Sequence, residues 1–489
     1  METVPSGAPD AATGGRDVFL EIELRRGSLR RNLRSALREA IQEGRLTAGT
    51  RLPSSRRLAS DLQVSRGVVA DTYDQLAAEG YLAVAPRQAP LVAAVAPPTP
   101  LTTEPGRPTW SVDFVATTPD VELFPRRAWL RSMERAMRAA PNTAFDYGDH
   151  RGRPELRAAL RDYLGRVRGV RTEPERIVVT QGFTQALYIL CRVLRAGGSR
   201  TMTCETPSQP NPWETITAAG LVLEAAPVDG HGLRTDRLTD ATGDAVLVTP
   251  AHQFPTGSVM TADRRADLVA WARRRDRLIV EDDYDAEFRY DRVAIGAIQG
   301  LDPGRVVHLG TTSKTLAPGI RLGWMSVPVD LVAEIMAEKS ALDSGSPTLE
   351  QLAFADLLAS GEYDRHVARV RQVYRRRRDS LVEAVARRLP GLALDGAAAG
   401  LHLLLRLPDT VDDVALARAA ADRGVRVDAL SPMSLVGAPD RGLVLGYSRL
   451  PVERMDAAVE RLAAIMRATG AIRTVRGTVR PRPRSPIPG

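Results

Sequence analysis

At 489 residues, with 44% hydrophobic and 26% charged side chains, the chain can bury a large core and is long enough for two or three folded units. It has no uninterrupted apolar run of about 18 residues, and its opening METVPSGAPDAATGGRD has neither a basic cluster nor an apolar stretch, so a soluble, cytoplasmic protein is expected. Cys191 and Cys204, the two cysteines, lack metal-ligand spacing, which argues against a disulfide framework and against any metal site, while a formal charge of +8 permits a polyanionic partner without requiring one.

Residues 1–17 form a Gly/Pro/Ala tail in which no packed structure is expected. The first periodic segment is SLRRNLRSALREAIQEG, where Leu29, Leu33, Leu37 and Ile41 recur at helical spacing and Gly44 stops the pattern. SSRRLASDL and RGVVADTYDQLAAEG follow as two more helices joined by the tight turn QVS, and YLAVAPRQAPLVAAV reads as two short strands about a proline-containing tip. Three helices and a hairpin over 18–92 make an α+β winged helix-turn-helix. This stretch holds twelve arginines against eight acidic residues. In helix-turn-helix units the second helix of the motif enters the major groove by its N-terminal end, which makes Ser65 and Arg66 candidates for DNA contact, with Arg56 and Arg57 on the supporting helix. Arg87, at the hairpin tip, is a weaker candidate for the minor groove.

Five prolines crowd 93–111, an extended linker expected to hold two units apart. From 112 to 470 the pattern alternates. Apolar runs at IVVT, TMTCE, LVLEAA, AVLVTP, LIVED, VVHLG and LGWMSV are separated by helical segments such as ADRRADLVAWARRR, which predicts a mainly parallel sheet covered on both faces. After about residue 345, one long helical stretch, the strand LHLLLRL, a helix, the strands VRVDAL and GLVLGYS and a last helix predict a smaller α+β lobe. The run Arg375 to Arg378 is expected to be a solvated helix face, and 471–489 is a basic tail outside the fold.

Lysine occurs only at 314 and 339, every other basic residue of the constant-charge kind being arginine. Arginine cannot lose its proton at working pH and so cannot bond covalently to an aldehyde, whereas lysine can. Lys314 lies in GTTSKTLAPGIRLGW and Asp282 and Tyr284 in LIVEDDYDAEF, both at the carboxyl ends of apolar strands, where open α/β sheets bind ligands. Pyridoxal phosphate requires such a set: a lysine, a carboxylate for the pyridine nitrogen, a donor to the phenolic oxygen, and cations or donors for the phosphate.

On RLPSSRRLASDLQVSRG, YGDHRGRPELR, TQGFTQAL, TPAHQFPTG, EDDYDAEF and SKTLAPGIRLGW, the chain resembles the MocR/GabR subfamily of GntR-type transcription regulators, and 112–470 resembles fold-type I aminotransferases. The resemblance implies that Lys314 bonds pyridoxal 5'-phosphate, Asp282 pairs with the ring nitrogen and Tyr284 donates to the ring hydroxyl. It further implies that Thr311, Ser313, Arg321 and the amides of Phe183 and Thr184 hold the phosphate, and that Tyr147 reaches the phosphate of a neighbouring subunit in a homodimer. Three positions depart from the aminotransferase pattern. Gln209 replaces an aromatic residue over the ring, Phe254 replaces the asparagine of an NPTG run, and Val444 replaces the arginine that clamps a substrate carboxylate, for which Arg441 or Arg449 are the alternatives. The chain is therefore expected to be a regulator whose binding to double-stranded operator DNA responds to pyridoxal phosphate or to an amino compound that reacts with it, with genes of vitamin B6 or amino-acid metabolism as targets. The alternative is an active aminotransferase with an appended DNA-binding head.

Overall fold

In the computed structural model the described residues are 29–85, 88–94, 109–239, 242–290, 295–396, 398–437 and 440–472. Both tails, most of the linker and Arg87 lie outside them. The chain divides into two compact units, Met1–Arg107 and Pro108–Gly489.

In the first unit, helix α1 (Leu29–Gln42) turns Leu33, Leu37, Ala40 and Ile41 inward, and the chain leaves it through Gly44 at φ +76°, a conformation glycine adopts without steric cost. Helices α2 (Ser55–Asp61) and α3 (Arg66–Ala78) each start on a serine. Ser54 Oγ accepts from the Arg57 N–H at 3.3 Å and Ser65 Oγ from the Val68 N–H at 3.4 Å, caps of the kind that contribute about 1 kcal/mol each. Strands β1 (Leu82–Ala83) and β2 (Leu91–Val92) pair antiparallel with Leu82 opposite Val92. Leu33, Leu37, Leu52, Leu58, Val69, Leu76, Leu82 and Val92 share one core, so helices and hairpin form a winged helix-turn-helix.

The second unit opens with β3 (Val112–Asp113), α4 (Arg126–Ala139) and α5 (Pro154–Arg168). Its central sheet is built from β4 (Ile177–Thr180), β5 (Thr201–Thr206), β6 (Val222–Asp229), β7 (Gly232–Leu233), β8 (Ala245–Val248), β9 (Leu278–Asp283), β10 (Val306–Thr311) and β11 (Gly323–Ser326), with α6 (Phe183–Ala196), α7 (Asn211–Ala218) and α8 (Ala262–Arg275) in the crossovers. The spatial order is β4-β11-β10-β9-β8-β5-β6-β7. Neighbours from β10 to β6 run parallel, and β11 runs against both of its partners. Alternation along each strand feeds cores on both faces of the sheet. Val178, Val280, Val307 and Met325 pack with α6 on one face; Ile177 and Val179 pack with α5, and Val246, Ile279 and Val306 with α8, on the other.

The remainder comprises α9 (Val332–Asp343), α10 (Thr348–Ala359), α11 (Glu362–Arg388), β12 (Leu394–Asp395), β13 (His402–Leu407), α12 (Asp413–Ala421), β14 (Val425–Arg426), β15 (Asp428–Ala429), β16 (Arg441–Gly446) and α13 (Val452–Ala468). A four-stranded sheet, β12-β13-β16-β15, packs Leu403, Leu405, Leu443 and Leu445 against Tyr374, Leu381 and Val385 of α11 and Val459, Leu462 and Met466 of α13.

Three details differ from the sequence reading of this lobe. The long helical stretch is two helices, because Gly361 at φ +68° breaks it. VRVDAL is split: β14 pairs with β3 and β15 with β16. The arginine run on α11 is only half solvated. Arg375 and Arg376 are exposed, but Arg377 lies 2.9 Å from Asp120 and Arg378 sits over the Tyr290 ring at 4.9 Å, so two of the four serve packing inside the unit.

Candidate functional site

Strands β9 and β10 lie parallel with Asp282 opposite Leu309 and Asp283 opposite Gly310, so the chain emerging from both reaches the same end of the sheet. Close packing there requires glycines. A Cβ on Gly310 would stand 2.4 Å from the Trp324 ring, and one on Gly323 would stand 2.8 Å from Gly182 Cα, nearer than real Cβ contacts allow. With no side chains at these points, the start of α6, the loop after β10 and the turn before β11 converge.

They enclose a cavity of about 290 Å³, at the small end of the roughly 300–1,000 Å³ of ligand pockets. Phe183, Thr184, Asp282, Tyr284, Thr311, Ser313, Lys314 and Arg321 all line it. Tyr147 does not; it is 90% exposed. A larger recess of about 950 Å³ lies in the small lobe, beside Arg387, Arg388 and Arg467. Those arginines are paired with Asp456 and Glu460, so the smaller cavity is where reactive groups converge.

Lys314 Nζ donates to the Thr117 carbonyl. Burial draws its pKa down, towards the neutral nucleophilic amine, against the opposing pull of Asp282 and Asp285. Burial and the charge of Asp283 push the Asp282 carboxyl well above its usual range, with Lys314 opposing. Successive strand residues point to opposite faces, and Asp283 accordingly turns away, accepting from Arg168 Nε at 2.7 Å and Nη2 at 3.0 Å, with His308 Nε2 at 2.9 Å. Burial alone would raise Asp283, but Arg168 and His308 hold it well below the ordinary carboxylate value. Adjacent carboxyls thus stay in opposite protonation tendencies.

Tyr284 donates to the His252 carbonyl at 3.0 Å, and His252 Nδ1 stands 2.9 Å from Asp285 Oδ2. At the other end, Thr311 Oγ1 donates to Ser313 Oγ at 2.9 Å and accepts from the Ser313 N–H at 3.1 Å. Arg321, at φ +53°, reaches Gln181 O at 2.6 Å. Helix α6 begins at Phe183 with Gly182 as its N-cap and no side-chain cap, so its first amides offer an anion site. Amine, carboxyl, phenol, hydroxyls, guanidinium and helix terminus together fit a ligand with an aldehyde, a ring nitrogen, a phenolic oxygen and a phosphate. Among the described residues no group of three or more His, Cys, Asp or Glu is placed to hold a metal.

Sequence reasoning missed Glu205. It lines the cavity at 2% exposure, and its Oε2 accepts from Thr249 N at 3.0 Å and Thr249 Oγ1 at 2.6 Å. Its Oε1 has no hydrogen-bond partner among the described residues. Burial pushes its pKa up to about 7, partly offset by the Thr249 bonds. The available signal was an acid closing the buried strand TMTCE.

Of the three departing positions, Gln209 and Phe254 line the cavity, and the Phe254 ring lies 4.8 Å from that of His402. Val444 is buried in β16 opposite Leu404 and Asp428. Arg441 binds Ser431 Oγ at 2.6 Å and Asp413 Oδ1 at 3.4 Å, and Arg449 lies 3.3 Å from Asp113; neither lines the cavity.

In the first unit Arg56, Arg57, Ser65 and Arg66 are all exposed. Arg57 lies 3.9 Å from Asp61, whereas Arg56 and Arg66 make no ion pair among the described residues. No described helix is long and apolar enough to cross a membrane.

Residues 120–462 match the aminotransferase class I and II family, and 29–92 match the bacterial regulatory proteins of the gntR family. The chain is 33% identical to the probable rhizopine catabolism regulatory protein MocR of Rhizobium meliloti, over 93% of this chain and 97% of that one. It is also 33% identical to the HTH-type pyridoxine biosynthesis transcriptional regulator PdxR of Corynebacterium glutamicum, over 86% of this chain and 92% of the other. Among solved structures, an archaeal alanine:glyoxylate aminotransferase superposes with a TM-score of 0.69 at 27% identity, covering 74% of this chain and 92% of its own.

Proposed function

Because the chain belongs to the MocR/GabR subfamily of gntR-type transcription regulators, with an aminotransferase class I and II body, we propose that it holds pyridoxal 5'-phosphate on Lys314 and that what occupies this pocket sets how tightly the winged helix binds operator DNA. The observation that carries the reading is the convergence on one cavity of Lys314, Asp282, Tyr284 and the phosphate-type donors. When bound, the cofactor supplies an aldehyde carbon that bonds amines. Lys314 is the residue that takes it, Asp282 faces the ring nitrogen, Tyr284 donates to the ring oxygen, and Thr311, Ser313, Arg321 and the α6 amides hold the phosphate.

The protein acts as a homodimer in the cytoplasm, with Tyr147 completing the partner pocket; its exposure, with Phe145, Leu130 and Met137 also exposed nearby in sequence, supports an interface there. In the head, Arg66 and Ser65 read base edges and Arg56 and Arg57 hold phosphates. The effector is pyridoxal phosphate itself or an amine that reacts with it, and the target genes belong to vitamin B6 or amino-acid metabolism. Regulation is favoured over turnover because Arg321, assigned to the phosphate, is the one arginine among the described lining residues, which leaves none of them to orient a substrate carboxylate, and turnover needs that orientation.

Coupling between two sites is typically about 1–3 kcal/mol, or roughly 5- to 150-fold in affinity. An operator-shift assay at fixed salt, with and without pyridoxal phosphate, is expected to show a change of at least about fivefold. An unchanged operator affinity, together with steady keto-acid release from an amino acid, would instead establish an enzyme.

A further inference from the structure

The charges around the cavity are few and already assigned. Lys314 and Arg321 are the cationic side chains among its described lining residues, and Asp282 and Glu205 are the acids. In the reading above, which this inference rests on, Lys314 faces an aldehyde, Arg321 a phosphate and Asp282 a ring nitrogen. Among the described lining residues nothing positive is left over for a second anion.

The rest of the described lining is uncharged: Thr117, Thr118, Ser208, Gln209 and Asn211 offer hydroxyls and amides but no cation. Ala116 and Phe254 line the cavity, backed by Leu404, Leu430, Met433 and Val444 in one apolar cluster. The small-lobe arginines that flank this cluster in sequence are engaged elsewhere, Arg441 with Ser431 and Asp413 and Arg449 with Asp113. Glu205 presents an oxygen without a hydrogen-bond partner among the described residues. A ligand carboxylate in this space would be buried beside neutral side chains and another carboxyl group, with no unassigned counter-ion among the described lining residues, an unfavourable arrangement for any charge removed from water. A neutral hydrocarbon tail meets no such opposition. Since about 290 Å³ must also hold the cofactor, the tail is short.

We infer that the amine this pocket accepts is a small primary amine whose remainder is uncharged and apolar, rather than an α-amino acid. In the exchange, the nitrogen of the free amine bonds to the aldehyde carbon as the bond from that carbon to Lys314 Nζ breaks. Both protons of the amine end on Nζ; nothing is oxidised and no water is consumed.

The test uses full-length protein loaded with pyridoxal phosphate at pH 8, titrated with isoamylamine against leucine and with phenethylamine against phenylalanine. Occupancy is followed by the absorbance band of the lysine-bound cofactor, and concentrations are expressed as unprotonated amine. Each amine is expected to half-saturate at a concentration at least tenfold lower than its carboxylated counterpart. Glu205→Gln is expected to narrow that gap about threefold, each protein's occupancy being referred to its own cofactor-loaded band. Equal or tighter binding of leucine or phenylalanine overturns the inference, and so does exchange with none of the four. Failure of the cofactor assignment is separately visible: the wild-type protein would then show no band, and borohydride would leave no adduct on Lys314.

Discussion

The head and the body place the residues proposed to bear function in opposite environments. Arg56, Arg57, Ser65 and Arg66 are exposed on a small unit whose core is aliphatic, whereas Asp282, Lys314 and Glu205 sit where burial moves every one of their pKa values. Exposed side chains are open to a polyanion arriving from water. Buried groups change their charge, and that makes covalent chemistry with an aldehyde feasible near neutral pH. The difference teaches that, in the cofactor-free state, a substitution in one region should leave the readout of the other intact, and four substitutions probe the two environments.

The largest effect is expected from Lys314→Ala, which should abolish the absorbance of the lysine-bound cofactor while leaving operator affinity in the cofactor-free state within about twofold of wild type, additive behaviour expected of sites without shared partners. Parallel loss of both would show that the substitution unfolds the chain.

The second is a pH effect on stability. Glu205 rises from an ordinary 4.5 to about 7 in the fold, so the folded state binds the extra proton between those values. Its contribution is complete below about pH 4.5 and is lost as pH rises through about 7, amounting to about 3 kcal/mol. Glu287, likewise pushed up to about 7 by burial and by Asp283, adds a decline of the same sign. Glu205→Gln should therefore flatten the fall in urea midpoint between pH 5 and pH 8 without abolishing it; an unchanged slope would show that Glu205 does not titrate there.

Third, Arg66→Ala should weaken binding to an operator selected from random duplexes by about 1–3 kcal/mol, roughly 10- to 100-fold, if it reads a base edge, with the cofactor band unchanged. The smallest effect belongs to Arg57→Ala. Its exposed pairing with Asp61 at 3.9 Å contributes little to stability, and loss of one phosphate contact should lower the salt slope of binding by about 1.

Legibility in the sequence followed from which physical cause was local. The helices of the head and the strands of the body carry their own periodicity, so IVVT, LIVED and VVHLG appear as β4, β9 and β10. Lys314 was conspicuous because the chain has otherwise almost exchanged lysine for arginine. What stayed hidden depends on residues distant in sequence. Glu205 matters because Thr249 satisfies only one of its oxygens, and Arg377 and Arg378 are half-buried because Asp120 and Tyr290 come to them from other segments. The break at Gly361 was local, yet helical propensity on both sides concealed it.

The central claim is that one amine in this chain bonds the cofactor. Lysine occurs at only two positions, and Lys339 is held by Asp343 at 2.7 and 2.8 Å, which provides an internal control. Borohydride reduction of the pyridoxal phosphate-loaded protein, followed by peptide mass spectrometry, should place the pyridoxyl group on Lys314 and leave Lys339 unmodified. An adduct on Lys339, or none on either lysine, would contradict the account.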